Sequence, residues 1–172
     1  QFVVVRNWLS ADRDGRMPAQ ARDRSTINIA ACSHGEDMLG LVRHLRETSQ
    51  LTAGLILRAL LSGNLELFNA ALAELSGLPP PRVAALLHDR NSAGLQALLR
   101  RAGLPESTFA AFGVALDVCH EIGFAGSWGA AARLQQRMVE RVLTHCETDG
   151  GAAEPLLILL RRFATESARE EA

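Results

Sequence analysis

The stretch ALLSGNLELFNAALAELSGLP, residues 59–79, aligns without a gap on ALLHDRNSAGLQALLRRAGLP, residues 85–105. The two copies share Ala59-Leu60-Leu61 with Ala85-Leu86-Leu87, Ala71-Leu72 with Ala97-Leu98, and Gly77-Leu78-Pro79 with Gly103-Leu104-Pro105. Leucines within each copy recur at helical spacing. Each copy then ends on glycine and proline, which stop a helix: glycine accepts a left-handed φ, and proline has no N–H to extend the ladder. A unit of this kind cannot bury its leucines alone, whereas two stacked units can. The duplication therefore predicts sibling helix pairs lying side by side around a common interior.

Outward from the repeat, the same punctuation divides the rest of the chain. Val42 and Leu45 follow Leu39 at helical spacing, on a helix that carries Arg46 and ends near Ser49. Thr52 is suited to cap a helix through Leu61, which Ser62-Gly63-Asn64 stops. Leu65, Phe68, Leu72 and Leu75 form an inward stripe on the next helix. Pro80 or Pro81 suits the first turn of a short helix over 82–88, and Asn91 or Ser92 caps another over 95–101. A helix over 105–120 directs Phe109, Phe112, Leu116 and Cys119 to the core. Gly123 to Gly129 reads as a connection in which Ser127 caps a long helix over 128–146, and a last helix runs from Glu154 to about Ala168. Before the repeat, Asp12 to Pro18 reads as a turn and 19–32 as a helix. Phe2-Val3-Val4-Val5 is the one strand-like run, but it leads directly into Arg6-Asn7-Trp8-Leu9 and has no second strand to pair with, so it too reads as helix.

The expected fold is all-α, a HEAT-like bundle of α-α hairpin repeats with roughly eight or nine short helices. One helical domain over 1–172 is expected, with a repeat core at 35–125 and a C-terminal helical pair at 127–172; Ser33-His34-Gly35 is the weakest point along it. Gln1 follows no initiator methionine, which suggests a fragment or a processed form of something longer.

Composition narrows the chemistry. Eighteen basic and nineteen acidic residues leave a net charge of −1, so global electrostatics favour neither nucleic acid nor an anionic membrane. All the basic residues are arginine, and lysine and tyrosine are absent, which removes the phosphate-loop lysine, Schiff-base catalysis and a phenolic acid or nucleophile. Cys32, Cys119 and Cys146 are widely spaced and odd in number, as suits a reducing cytoplasm. The longest apolar stretch, Leu156 to Leu160, is far below membrane-spanning length.

Several patterns resemble functional motifs, and each has a plainer alternative. The junction from Leu72 to Val83, and its second copy from Arg100 to Phe109, reads like a helix-turn-helix. The helix that would enter the major groove offers Pro80, Pro81, Ala84 and Ala85, with Arg82 its only long polar side chain, and base reading needs more than that. Cys119-His120 and His145-Cys146 supply the ligand types of a zinc site, but adjacent helical residues point about 100° apart, so buried cysteines beside partly exposed histidines are the expectation. Ser10 to Gly15 has the glycine of a calcium loop but serine at its first position and Ala21 at its twelfth, so a turn is expected. Gly123, Gly126 and Gly129 could cradle a phosphate at a helix start, yet they follow a helix rather than a strand. His34, His44 and His88 have no acidic partner at productive spacing. No catalytic residue, metal ligand or cofactor site is expected.

One surface pattern stands out. Arg133, Arg137 and Arg141 recur at i, i+4 and i+8 and line one face of the long helix, a candidate interaction ridge able to hold a carboxylate, a phosphate or an acidic partner. A solvated face, partly neutralised by Glu140, is the plain alternative.

The succession Leu41-Val42-Arg43-His44-Leu45, Leu51-Thr52, Leu57-Arg58-Ala59-Leu60 and Phe68-x-x-Ala71-Leu72 resembles the bacterial domain of unknown function 2336 over residues 35–125. The resemblance implies a helical, cytoplasmic bacterial protein and carries no catalytic or ligand residue with it. The functional expectation is a non-enzymatic helical repeat module that binds another protein, as a scaffold or regulator. The alternatives are a helix-turn-helix-like DNA-binding regulator, or a small-molecule sensor whose pocket is lined by Phe109, Phe112, Phe124 and Trp128.

Overall fold

A computed structural model of the chain describes residues 16–32, 35–89, 92–122, 128–149 and 154–170. These residues form helices α1 (Arg16–Cys32), α2 (Glu36–Glu47), α3 (Ala53–Leu61), α4 (Leu65–Ser76), α5 (Pro80–His88), α6 (Ser92–Arg101), α7 (Phe109–Ile122), α8 (Trp128–Asp149) and α9 (Glu154–Glu170). A single 3₁₀ turn, Glu106–Thr108, precedes α7, and no strand occurs among the described residues. The strand-like run at residues 2–5 and the calcium-loop lookalike at residues 10–15 lie outside them.

Helix ends fall where the turn chemistry places them. The Thr52 side chain accepts a hydrogen bond from the Leu55 N–H at 3.1 Å, and the Asn64 carbonyl oxygen accepts one from Leu67 at 3.0 Å. Each satisfies an N–H that the first helical turn leaves without a partner. Both copies of the duplicated stretch stop as expected, on Gly77 at φ 69° and Gly103 at φ 77°. The Gly77 N–H donates to the Ala73 carbonyl at 2.9 Å. The second copy makes the fuller Schellman pair: Gly103 N–H to Arg100 and Leu104 N–H to Leu99, both at 3.1 Å. α5 begins at Pro80, the first-turn proline expected, whereas two helices start earlier than their apolar pattern suggests: α1 begins at Arg16 and takes Pro18 into its first turn, and α6 begins at Ser92. A first turn needs no apolar residue, so periodicity underestimates it.

The sibling pairs do stack: α4 packs on α3, α5 and α6, and α5 on α6. They are unequal in burial, however. All nine residues of α3 are buried, because α4, α7 and α8 surround it and Leu159 of α9 reaches within 3.5 Å of where a Cβ on Gly54 would lie. A helix apolar on every face must be enclosed on every face, and the run Ala53–Leu61 is interrupted only by Arg58. Its counterpart α5 buries only Val83. The core runs from Met38, Val42 and Leu45 through α3 and α4 to Phe112, Met138 and Val142, and on to Leu156 and Leu160. Phe68 and Phe112, both fully buried, stack with centroids 5.8 Å apart at 25°, joining α4 to α7.

Candidate functional site

The arginine ridge lies on α8. Arg133 belongs to the helix, but its side chain lies outside what the structure describes. Arg137 and Arg141 are exposed one turn apart. Arg141 Nη1 is paired with Glu121 Oε2 on α7, so one fork of the ridge already holds a carboxylate. Glu140 accepts from Gln136 Nε2 at 3.3 Å, and no ion pair holds Arg137 among the described residues. The ridge thus combines an arginine occupied by an acid from its own chain with one that faces solvent.

The helix-turn-helix lookalike does not present a free basic stripe, because two of its three arginines are engaged within the chain. Arg100 places Nε and Nη2 at 3.2 and 2.9 Å from Glu106 Oε1 and lies 6.0 Å over the Phe109 ring. Arg101 Nε donates to the Ser76 carbonyl at 2.8 Å, tying the end of α6 to the last turn of α4. Arg82 alone of the three is exposed without such a tie among the described residues. Of the three, Arg101 is the one that ties the two copies of the repeat together.

Cys119 and Cys146 are core residues, as their apolar surroundings suggest. The Cys119 thiol lies 3.9 Å from the Met138 sulfur, and burial pushes its pKa up to about 11, the reverse of what a metal-ligating or nucleophilic thiolate requires. His120 and His145 are partly buried beside them, and no group of three or more His, Cys, Asp or Glu residues is placed to hold a metal ion among the described residues. Of the proposed sensor lining, Phe112 fills the core and Phe109 lies under Arg100. Phe124, the Trp128 side chain and the first two glycines of the 123–129 connection lie outside the described residues, as does His34.

The family model described as "Uncharacterised protein conserved in bacteria (DUF2336)" matches residues 1–150. The chain belongs to that family. No curated protein and no solved structure matches it.

Two features escaped the sequence reading. The first is built around Arg58, in the Leu57-Arg58-Ala59-Leu60 stretch that carried the likeness to DUF2336. Its side chain is 2% exposed, stands 3.6 Å from Glu166 Oε2 on α9 and lies 5.6 Å over the Phe163 ring. Nε and Nη1 are buried without a hydrogen-bond acceptor among the described residues. Arg24 on α1 reaches the same Glu166 oxygen at 3.7 Å. An arginine inside an otherwise apolar helix was the available signal, since a charge at such a position needs a counter-charge from elsewhere. The second is a cleft of about 120 Å³ where α5, α6 and α7 meet, floored by Leu86, Leu95 and Leu116 and rimmed by Asp89, Asp117 and His120. Nothing local in the sequence announces it, because its walls come from three separate helices.

Proposed function

We propose that this DUF2336 chain is a non-enzymatic, cytoplasmic helical repeat module that docks an acidic segment of a partner protein on the Arg133–Arg137–Arg141 ridge. The observation that carries this reading is the pairing of Arg141 with Glu121 one helical turn from the exposed Arg137. A surface pair of this kind contributes at most about 1 kcal/mol, so a partner carboxylate can replace Glu121 at little cost. Arg137 then adds a second guanidinium fork, and two forks one turn apart suit consecutive acidic side chains better than a single small anion. No helix among the described residues is long and apolar enough to cross a membrane. DNA reading fits less well, because Arg100 and Arg101 are engaged within the chain.

The test is affinity capture from lysate of the source cell, comparing the wild-type chain with Arg137→Glu/Arg141→Glu. Circular dichroism and thermal unfolding should match for the two proteins, since only a surface pair is lost. A protein retained by the wild type, lost on charge reversal and released by raised salt is the expected result. Identical capture by both proteins would exclude the ridge. Retardation of random duplex at low salt would favour the DNA reading instead.

A further inference from the structure

We infer that the cleft between α5, α6 and α7 binds a small aliphatic amine, at a site separate from the arginine ridge. Its size sets the first limit. A cavity of about 150 Å³ accommodates benzene, so a cleft of about 120 Å³ takes a body of about six heavy atoms or fewer. Drug-sized ligands need several times that volume.

The walls set the chemistry. Leu86, Leu95 and Leu116 form an apolar floor suited to an alkyl chain, while Asp89 and Asp117 both lie on the rim. The Asp117 carboxylate at the mouth disfavours an anion and attracts an ammonium group. Asp117 is exposed, and no ion pair engages it among the described residues. Ser92, at the start of α6, adds a hydroxyl able to accept from an amine N–H.

Gly113 bears on the room available in the cleft. It lies inside α7, where glycine is a poorer helix former than alanine, and it lines the cleft. A Cβ built there would meet nothing within 4 Å among the described residues. Close helix packing therefore gives no reason for glycine at this position. Its effect is to leave room in the cleft that any side chain would occupy.

The test is a titration of the isotopically labelled chain, followed by amide chemical shifts, with n-butylamine, n-butanol and butyrate at matched ionic strength. Saturable shifts at Ser92, Gly113 and Asp117 are expected with n-butylamine, weaker ones with n-butanol and none with butyrate. Asp117→Asn should weaken n-butylamine binding by about threefold to fivefold, because it removes a solvent-exposed charge that attracts the ammonium. Gly113→Ala should keep the fold and also weaken binding by intruding on the alkyl chain. Absence of saturation with n-butylamine would overturn the inference. So would butyrate binding as tightly as the amine, or wild-type affinity in both variants.

Discussion

Arg58 on α3 and Glu166 on α9 bring Nη1 and Oε2 within 3.6 Å of each other, joining the most enclosed helix of the fold to its last one. Glu166 is about a quarter exposed, whereas Arg58 is almost wholly buried, so the burial cost falls mainly on the guanidinium. Replacing a buried charge by an apolar side chain of similar length is often neutral, while truncating it leaves both a cavity and an uncompensated partner. Arg58→Met should therefore stay within about 1 kcal/mol of wild type, whereas Arg58→Ala should lose roughly 2–4 kcal/mol. Glu166→Gln should cost roughly 2–3 kcal/mol, because it leaves the buried Arg58 guanidinium without its counter-charge. Denaturant unfolding of the three variants measures the order; equal losses for the methionine and alanine variants would refute it.

Asp23 on α1 faces the same cluster. Burial raises its pKa above the ordinary 3.8, against the pull of Arg58 and Arg22 and with a further push from Glu166. The folded chain thus retains a proton that the unfolded chain has already released, so the contribution of this group to stability falls as pH rises from 3.8 through the folded value. Asp23→Asn abolishes that slope. The stability of the variant minus that of wild type should become more positive from about pH 4 toward neutrality. Paired melting curves across that range provide the measurement, and a difference that shrinks with pH would reverse the assignment.

Two glycines should respond to alanine in opposite ways. Gly40 lies exposed within α2, and a Cβ there meets nothing within 4 Å, so Gly40→Ala should stabilise by about 0.5–1 kcal/mol. Gly77 closes α4 at φ 69°, where a Cβ is strained, so Gly77→Ala should destabilise by about 1 kcal/mol. Denaturation midpoints with unchanged m-values would report both.

Thiol reactivity distinguishes the cysteines. Cys32 is exposed, whereas Cys119 and Cys146 are buried, and the Cys119 pKa of about 11 keeps it protonated at pH values where thiols are usually titrated. A chromogenic disulfide reagent at mildly alkaline pH should label one thiol quickly in the native chain and all three after denaturation. Rapid native labelling of a second thiol would show that the α7–α8 packing opens.

Local chemistry made most of the helix boundaries legible. Thr52 and Gly77 act on backbone groups within a few residues, so their roles follow from their neighbours in the chain. The expected inward stripe of α4 holds for Phe68 and Leu72, whereas Leu65 and Leu75 are only partly buried and Leu67 is enclosed. Which residues an enclosed helix buries depends on how many neighbours it has, and periodicity describes one face only. The ridge was legible as spacing, but its ion pair was not, because Glu121 comes from α7.

The amino-acid order alone determined the helical class, the punctuation of α3 to α7 and the duplicated hairpin, since capping, left-handed glycine and 3.6-residue periodicity act over a single turn. Tertiary packing decided that α3 would be surrounded while its counterpart α5 would bury only Val83. It also decided that Arg58 would meet Glu166, and that three helices would leave a cleft in front of Gly113. Burial and long-range charge pairing are properties of neighbours distant in the chain, and no local pattern encodes which neighbours those will be.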